Sequence, residues 1–413
     1  MRILHIIPYF YPAWAYGGTC RAAWELSRAL VRKGHQVAVF TTDALDAASR
    51  ASPLHEVVDG VEIRRFRNLR NSLAWNRIFL PLGFGWRLER ELRQVDVVHL
   101  HEFRTYQNFV VLPHLQRLGI PYVLTAQGGM PRIMGRLAPK SVYDRLVGHR
   151  ILRHAFRLHA LNELEQQQFV GLGVEPERIT ILPNGVDLDE YRELPAVDGF
   201  RDRYGIPPRA PIVLFLARVN KIKGVDFLVA SFHEVRKALP DAVLVIVGPD
   251  DGYLAEVKRQ IQQLGLDGRV RFTGYLAGSQ KLQAYQSASV YVLPSAYEMF
   301  AITLLESLAC ATPIIATDRC GLADFVRHND LGSIVTYGDV PGLRDEIVRI
   351  LQAPAEAQGR ARAGREYVLA NFGWDKIVEK WVELYQECAL ARPGVGSEAT
   401  RPLPGDSARP RQP

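Results

Sequence analysis

Short apolar runs alternate with helix-length amphipathic segments along almost the whole chain, and that pattern leaves few folds open. It is the signature of parallel βαβ units, in which each strand returns to its sheet through a helix. In the first half, strands are expected at Ile3–Ile7, Gln36–Thr42, Val97–His101, Tyr122–Gln127, Arg157–Asn162 and Ile179–Pro183. Helices are expected near 19–33, 75–93, 105–118, 138–154 and 163–171. Residues 189–208 lose the pattern and carry Pro195, Gly199, Gly205, Pro207 and Pro208, as a linker does. A second series starts at Pro211–Ala217 and continues through strands near 242–247, 270–274, 290–294, 313–317 and 333–336.

The fold class is therefore α/β, with two Rossmann-like doubly wound domains facing a cleft. In such sheets ligands bind at the carboxyl ends of the strands. The expected boundaries are an N-terminal domain over 1–190, a linker over 191–208 and a C-terminal domain over 209–372. A final helix over 373–391 carries Trp374, Ile377, Trp381, Leu384 and Cys388 at spacings of three and four, a stripe that needs burial. Residues 392–413, proline-rich and poor in apolar side chains, read as a disordered tail.

Composition narrows the class. A length of 413 residues suits two domains, and 47% hydrophobic with 23% charged residues is ordinary for a globular chain. No run of eighteen apolar residues supports a spanning helix. The start of the chain reads as a buried strand rather than a signal peptide, because His5, Pro8 and Pro12 interrupt its apolar core. Four cysteines without close spacing read as reduced thiols in a cytoplasmic protein. The net charge of +7 is concentrated: residues 61–157 hold 17 Lys and Arg against 6 acids. An anionic membrane surface or a phosphorylated acceptor answers such a patch better than nucleic acid, for which no binding motif is present. Solvated arginine-rich helix faces explain it equally well.

Three segments could carry chemistry. The first strand ends in a long turn closing on Gly17-Gly18 before a helix, where backbone amides and the helix dipole can meet a phosphate. After strand 212–217, Arg218 and Lys223-Gly224 place two cations beside another helix start, suited to a diphosphate that gains charge as it departs. Glu298 and Glu306 then straddle a strand-to-helix junction. Glu306, flanked by Leu304, Leu305 and Leu308, should be buried, and the vicinal hydroxyls of a sugar can donate two hydrogen bonds to it.

Glu298 and Glu306 with Phe300, followed by Pro313-Ile-Ile-Ala-Thr, closely resemble the Glu-x7-Glu signature of family 4 glycosyltransferases. Gly17-Gly18, Pro183-Asn-Gly-Val-Asp187, Arg218 with Lys223-Gly224, and Phe272-Thr-Gly-Tyr275 fall in that family's order, over about residues 1–388. The resemblance implies the GT-B fold and a retaining, metal-independent transferase without a cofactor. It would take a nucleotide-diphosphate sugar as donor and a glycan or polyprenyl-linked glycan as acceptor, in cell-surface polysaccharide or glycolipid biosynthesis. It further implies a cytoplasmic enzyme, peripheral at the inner face of an anionic membrane if the acceptor is lipid-linked.

The same resemblance assigns roles. Arg218 and Lys223 neutralise the departing diphosphate, Glu298 bonds the donor sugar and Glu306 the ribose hydroxyls. Gly17 and Gly18 contribute from the facing domain, the amides of Phe300, Ala301 and Ile302 line sugar and phosphate, and Tyr275 flanks the base. His101, Gln127 and Gly128 are the acceptor-side candidates.

The chain departs from the family pattern at several places. Ala301 and Ala311 stand where glycine is usual, Cys320-Gly321 replaces a glycine pair with Asp324 where glutamate is common, and Gln127 replaces a frequent histidine. Those changes leave a competing reading, a glycosyltransferase-like binding subunit that has lost turnover. A nicotinamide dehydrogenase is disfavoured, since no Gly-x-Gly-x-x-Gly follows either first strand. Asp187-Leu-Asp189 reads as a turn with capping acids rather than a metal motif. His99 and His101 are read as facing opposite sides of their strand, unable to share an ion.

Overall fold

The computed structural model describes residues 1–86, 88–130, 137–197 and 199–392. The first domain is built on β1 (Arg2–Ile6), β2 (Gln36–Thr42), β3 (His55–Val58), β4 (Val61–Phe66), β5 (Val97–His101), β6 (Tyr122–Thr125), β7 (Arg157–Ala160) and β8 (Ile179–Ile181). They form one sheet in the order β3-β4-β2-β1-β5-β6-β7-β8, parallel except for the β3–β4 pair. The second domain holds β9 (Ile212–Leu216), β10 (Val243–Val247), β11 (Val270–Gly274), β12 (Val290–Leu293), β13 (Ile314–Thr317) and β14 (Ser333–Val335). Its sheet runs β11-β10-β9-β12-β13-β14, with every pair parallel.

Each sheet reverses its winding once. In the first, β1 is flanked by β2 and β5; in the second, β9 is flanked by β10 and β12. Loops after strands on either side of such a reversal diverge and leave a crevice. The loops carrying Gly17, Glu102, Arg218 and Glu298 follow β1, β5, β9 and β12, which is why the fold collects them.

The expected strands are present, most of them a residue or two shorter than their apolar runs. Three expectations fail for physical reasons. The pair β3–β4 is absent from the sequence reading because Glu62, Arg64 and Arg65 break the apolar run of β4, yet Val61 and Ile63 are wholly buried at period two. The helix expected over 75–93 breaks into Asn71–Trp75 and Leu88–Leu92, since Pro81, Gly83 and Gly85 interrupt it. The stretch over 138–154 is divided into Leu137–Tyr143, a π-helical turn Asp144–Gly148, and His149–His154.

The segment 191–208 is less loose than a linker. Tyr191, Phe200 and Ile206 are buried in the second domain's core, and a short helix Phe200–Arg203 forms there. The final helix Trp374–Leu390 packs Trp374, Ile377, Trp381, Leu384, Tyr385 and Cys388 into the first domain's core beside Ile3, Trp24 and Leu30. Gly185 makes this crossing possible, because a methyl there would lie 2.6 Å from the Trp374 ring. Of the expected tail only Arg392 is among the described residues, and its Nη1 donates to Val95 O at 2.7 Å. All four cysteines are free and buried.

His99 and His101 require a correction. Residues two apart on a strand share a face, and their ring centroids stand 3.9 Å apart. With His5 they form a buried group whose ligand atoms lie within 4.8 Å of one another. His5 Nδ1 and His101 Nε2 are 2.9 Å apart, while His99 uses both nitrogens, on Tyr385 OH at 2.7 Å and Thr125 Oγ1 at 2.6 Å. The cluster ties the crossing helix to β1, β5 and β6.

Candidate active site

The second domain contributes two loops that lock together. Gly224 has a positive φ of 67°, and a methyl there would fall 2.0 Å from Pro294 O. Only glycine permits that approach, and the amide of Ala296 bonds Ile222 O at 2.8 Å to fix it. The loop after β9 is thereby held against the loop after β12. Lys223 Nζ pairs with Glu298 Oε2, and Arg218 Nη1 pairs with Asp251 Oδ2, which also accepts from Asn220 Nδ2 at 3.0 Å. Two cations, each answered by a carboxylate, occupy the crevice of this sheet beside the N-terminus of helix Ile302–Ala309.

The first domain closes on this arrangement. Gly17, at φ 101°, caps helix Gly18–Arg32, and a methyl on it would be 3.6 Å from Arg218 Nε. One on Gly18 would be 3.5 Å from Ile302 Cδ1. Across the cleft Asn162 Nδ2 donates to Met299 O at 2.6 Å, and Tyr297 OH to Gly128 O at 3.4 Å. Gln127 and Gly128, both at positive φ, thus lie against the residues that bracket Glu298, and Gln127 Oε1 is buried without a partner.

Glu306 is buried, as its leucine neighbours imply, but its partners come from another helix. Lys281 Nζ donates to Oε1 at 2.8 Å and Tyr285 OH to Oε2 at 3.0 Å. Burial alone pushes this carboxyl up; the Lys281 and Arg21 cations and the two hydrogen bonds outweigh it and hold the group below its ordinary value. Arg21, one turn along from Gly18, pairs with Glu190 and lines a small pocket with Tyr191, Ile302 and Glu306. Phe300 and Ala301 are buried at the helix start, where the Ile302 amide lies 3.1 Å from Phe300 O.

Two sequence candidates stay apart from this group. Tyr275, 58% exposed, follows the edge strand β11. His101 is 1% exposed and spent on the histidine cluster, so it offers no surface to an acceptor. Asp187 behaves as a turn acid: its Oδ1 accepts the Asp189 amide at 3.3 Å and its Oδ2 lies 3.4 Å from Arg28.

Several participants were not apparent from the sequence. Arg21 could have been found from its place three residues after Gly18 on a helix entering the cleft. Lys281, Tyr285 and Asp251 gave no signal, since each sits in a segment of ordinary composition. Arg77 is another. Its guanidinium lies 5.2 Å from the Tyr9 ring and 4.9 Å from the Tyr16 ring, and Nη2 donates to Tyr16 O at 3.2 Å. Tyr9 OH in turn bonds Glu102, whose carboxyl burial pushes up. Tyr9 and Glu102 follow β1 and β5, Tyr9 and Tyr16 are buried, and the Arg77 guanidinium also feels the Asp251 carboxylate of the second domain.

The family described as Glycosyl transferases group 1 matches residues 197–367, and the Glycosyl transferase 4-like domain matches residues 17–185. Each model spans one of the two domains, and the chain is a glycosyltransferase. A D-inositol 3-phosphate glycosyltransferase of Xylanimonas cellulosilytica is 28% identical over 399 residues, covering 91% of this chain and 93% of its own. Two solved glycosyltransferase structures share the fold. Anabaena HepE in complex with UDP and glucose superposes with a TM-score of 0.76 at 18% identity, over 94% of this chain and 100% of that one. Sucrose-phosphate synthase from Thermosynechococcus elongatus gives 0.72 at 24%, over 94% and 98%. This glycosyltransferase therefore has the GT-B architecture, two facing α/β domains with most of the candidate residues between them.

Proposed function

We propose that the enzyme is a retaining, metal-independent glycosyltransferase that moves a sugar from a nucleotide-diphosphate sugar to a glycan or polyprenyl-diphosphate-linked glycan. Cell-surface polysaccharide or glycolipid assembly is the corresponding role. The observation that carries this reading is the pairing of Arg218 and Lys223 with Asp251 and Glu298 at the point where Gly17 and Gly18 approach. The two carboxylates occupy the cations as the phosphates of a donor would, and the donor exchanges with them on binding. The UDP bound by HepE supports a nucleotide donor, and the relative named for inositol 3-phosphate supports a phosphorylated acceptor.

In this reading the cations and the helix start at Ile302 stabilise charge growing on the leaving diphosphate. Glu298, released from Lys223, accepts hydrogen bonds from the donor sugar. Glu306 retains lone pairs beyond those bonded to Lys281 and Tyr285, and ribose hydroxyls donate to them. Attack comes from the face the diphosphate leaves, so its own oxygen takes the acceptor proton, and positioning does the rest. On the acceptor side Gln127 Oε1 is an open acceptor for a hydroxyl, and Arg77 is a cation suited to an acceptor phosphate.

Transfer assays test this directly. UDP, GDP, ADP and TDP sugars are incubated with a polyprenyl-diphosphate-linked disaccharide, and the product's anomeric configuration is read by NMR. Retention is expected with one nucleotide family. An inverted product, or transfer abolished by EDTA and restored by a divalent ion, would refute the mechanism.

A further inference from the structure

Helix Tyr106–Leu118 begins beside the cleft, just after β5, and is apolar on two sides. Its inner residues Val111, Leu112 and Leu115 are buried in the first domain's core. Its outer stripe, at i, i+3, i+4 and i+7, is Tyr106, Phe109, Val110 and Pro113. A helix on the outside of a globular protein ordinarily turns charged residues outward. Here Phe109 is 53% exposed, with the Tyr106 ring centroid 6.4 Å away.

The neighbours extend this surface on both flanks. A methyl on Gly85 would lie 3.6 Å from Val110 Cγ1, so the loop 82–86 lies against the helix. Phe84 anchors that loop in the core, leaving Leu82 exposed and Trp86 93% exposed. On the other flank Tyr143 OH donates to Thr105 O at 3.0 Å, which fixes the 137–148 segment against the helix start. Val142 and Leu146, one turn apart there, point into solvent. A nearly fully exposed indole, with phenylalanine, tyrosine and aliphatic side chains exposed on neighbouring elements, marks an interaction surface rather than scattered exposure.

The charge around it selects the occupant. Arg93 and Arg117 share the one carboxylate of Glu89, leaving a net positive rim. Arg145, Arg150 and Arg153 are exposed around Val142 and Leu146. Apolar side chains at the centre with arginines at the edge match the interface of an anionic bilayer, where aromatic rings enter the headgroup layer and cations meet lipid phosphates. No helix among the described residues is long and apolar enough to cross a membrane, so the contact would be peripheral.

We propose that this face, centred on Phe109 and Trp86, docks the enzyme on an anionic lipid surface. It deepens the lipid-linked acceptor reading and rests on it. Because Asn108 in the helix's first turn donates to Glu102 O at 2.7 Å, and Arg104 just before it donates to Gly129 O, docking sets the cleft mouth at the lipid surface from which a polyprenyl-linked acceptor emerges.

Vesicle co-sedimentation tests it, with phosphatidylglycerol and phosphatidylcholine in equal parts against phosphatidylcholine alone. The protein should sediment with the anionic vesicles at low salt, with blue-shifted Trp86 emission that is missing in Trp86→Phe. Trp86→Ser/Phe109→Ser should reduce the bound-to-free ratio at least tenfold, and Arg145→Glu/Arg153→Glu should abolish the preference for anionic vesicles. An unchanged melting temperature shows that the variants are folded. An unchanged donor-induced thermal shift in them separates failure here from failure of the transferase reading. Equal binding by wild type and the apolar variant, or no binding by wild type, overturns the proposal. So does a wild-type dimer in sedimentation velocity that the apolar variant abolishes, since a second copy would then be the occupant.

Discussion

Lys281 holds its Nζ 2.8 Å from Oε1 of Glu306, with both side chains buried and Tyr285 closing the second carboxylate oxygen. Removing one partner of a buried pair leaves an uncompensated charge, which costs about 3–5 kcal/mol. Lys281→Met should lower the unfolding free energy by that amount in urea titration. Lys281→Met/Glu306→Leu should recover most of it. The folded pKa of Glu306 is depressed, so its contribution is present above its unfolded value and lost as pH falls through the folded one.

The histidine cluster makes a second prediction about pH. Burial lowers His5 to about 3 and lowers His99 and His101 as well, and His159, whose Nδ1 lies 2.9 Å from the Thr125 hydroxyl, is lowered to about 4. A depressed base loses stability as pH falls below its unfolded value near 6.5, by about 1.4 kcal/mol per pH unit for each ring. Glu165 opposes this. Burial raises it to about 7, although the Gly128 and Leu161 amides pull the other way, so its contribution is present below about 4.5 and lost as pH rises through 7. Four imidazoles outweigh one carboxyl. Stability measured by denaturant should therefore fall steeply from pH 6.5 towards 5, more steeply still in Glu165→Gln, and Tyr385→Phe should loosen the crossing helix without removing the slope.

Ala311 sits at φ 55°, a left-handed conformation that disfavours any Cβ. The glycine usual at this position would relieve it. Ala311→Gly should raise unfolding free energy by about 0.5–1 kcal/mol, the strain relieved less the entropy glycine brings to the unfolded chain. Kinetics should not change, because the residue follows the helix whose other end faces the cleft.

In the proposed mechanism Lys223→Ala removes a cation from the leaving diphosphate, and it should lower kcat by about 100-fold to 1,000-fold. Because Lys223 and Glu298 touch, Lys223→Ala/Glu298→Ala should lose less than the product of the single effects in steady-state assays. Additive losses would mean that the two act separately.

The fold was legible because hydrophobic periodicity reports parallel sheets directly, and Gly17, Arg218, Lys223 and Glu298 follow strands at the two winding reversals. Glu306 was legible through its leucine neighbours. What pairs with it was not: Lys281 belongs to a helix of mixed composition, and only packing shows that its amine is buried. Arg77 escaped notice because the surrounding segment was expected to be helical. The histidine cluster was misplaced by an error of strand period rather than by any missing signal.

The central claim is that a nucleotide-diphosphate donor binds between Gly17-Gly18 and the Arg218–Lys223 pair. A thermal-shift panel of nucleoside diphosphate sugars, run on wild type and Arg218→Ala, tests it most directly. A donor at about 100 times its dissociation constant adds about 2.7 kcal/mol to the folded state. One nucleotide family should raise the melting temperature of wild type and fail to raise that of Arg218→Ala. Cooperative melting with no shift from any donor, or an equal shift in the variant, would contradict it.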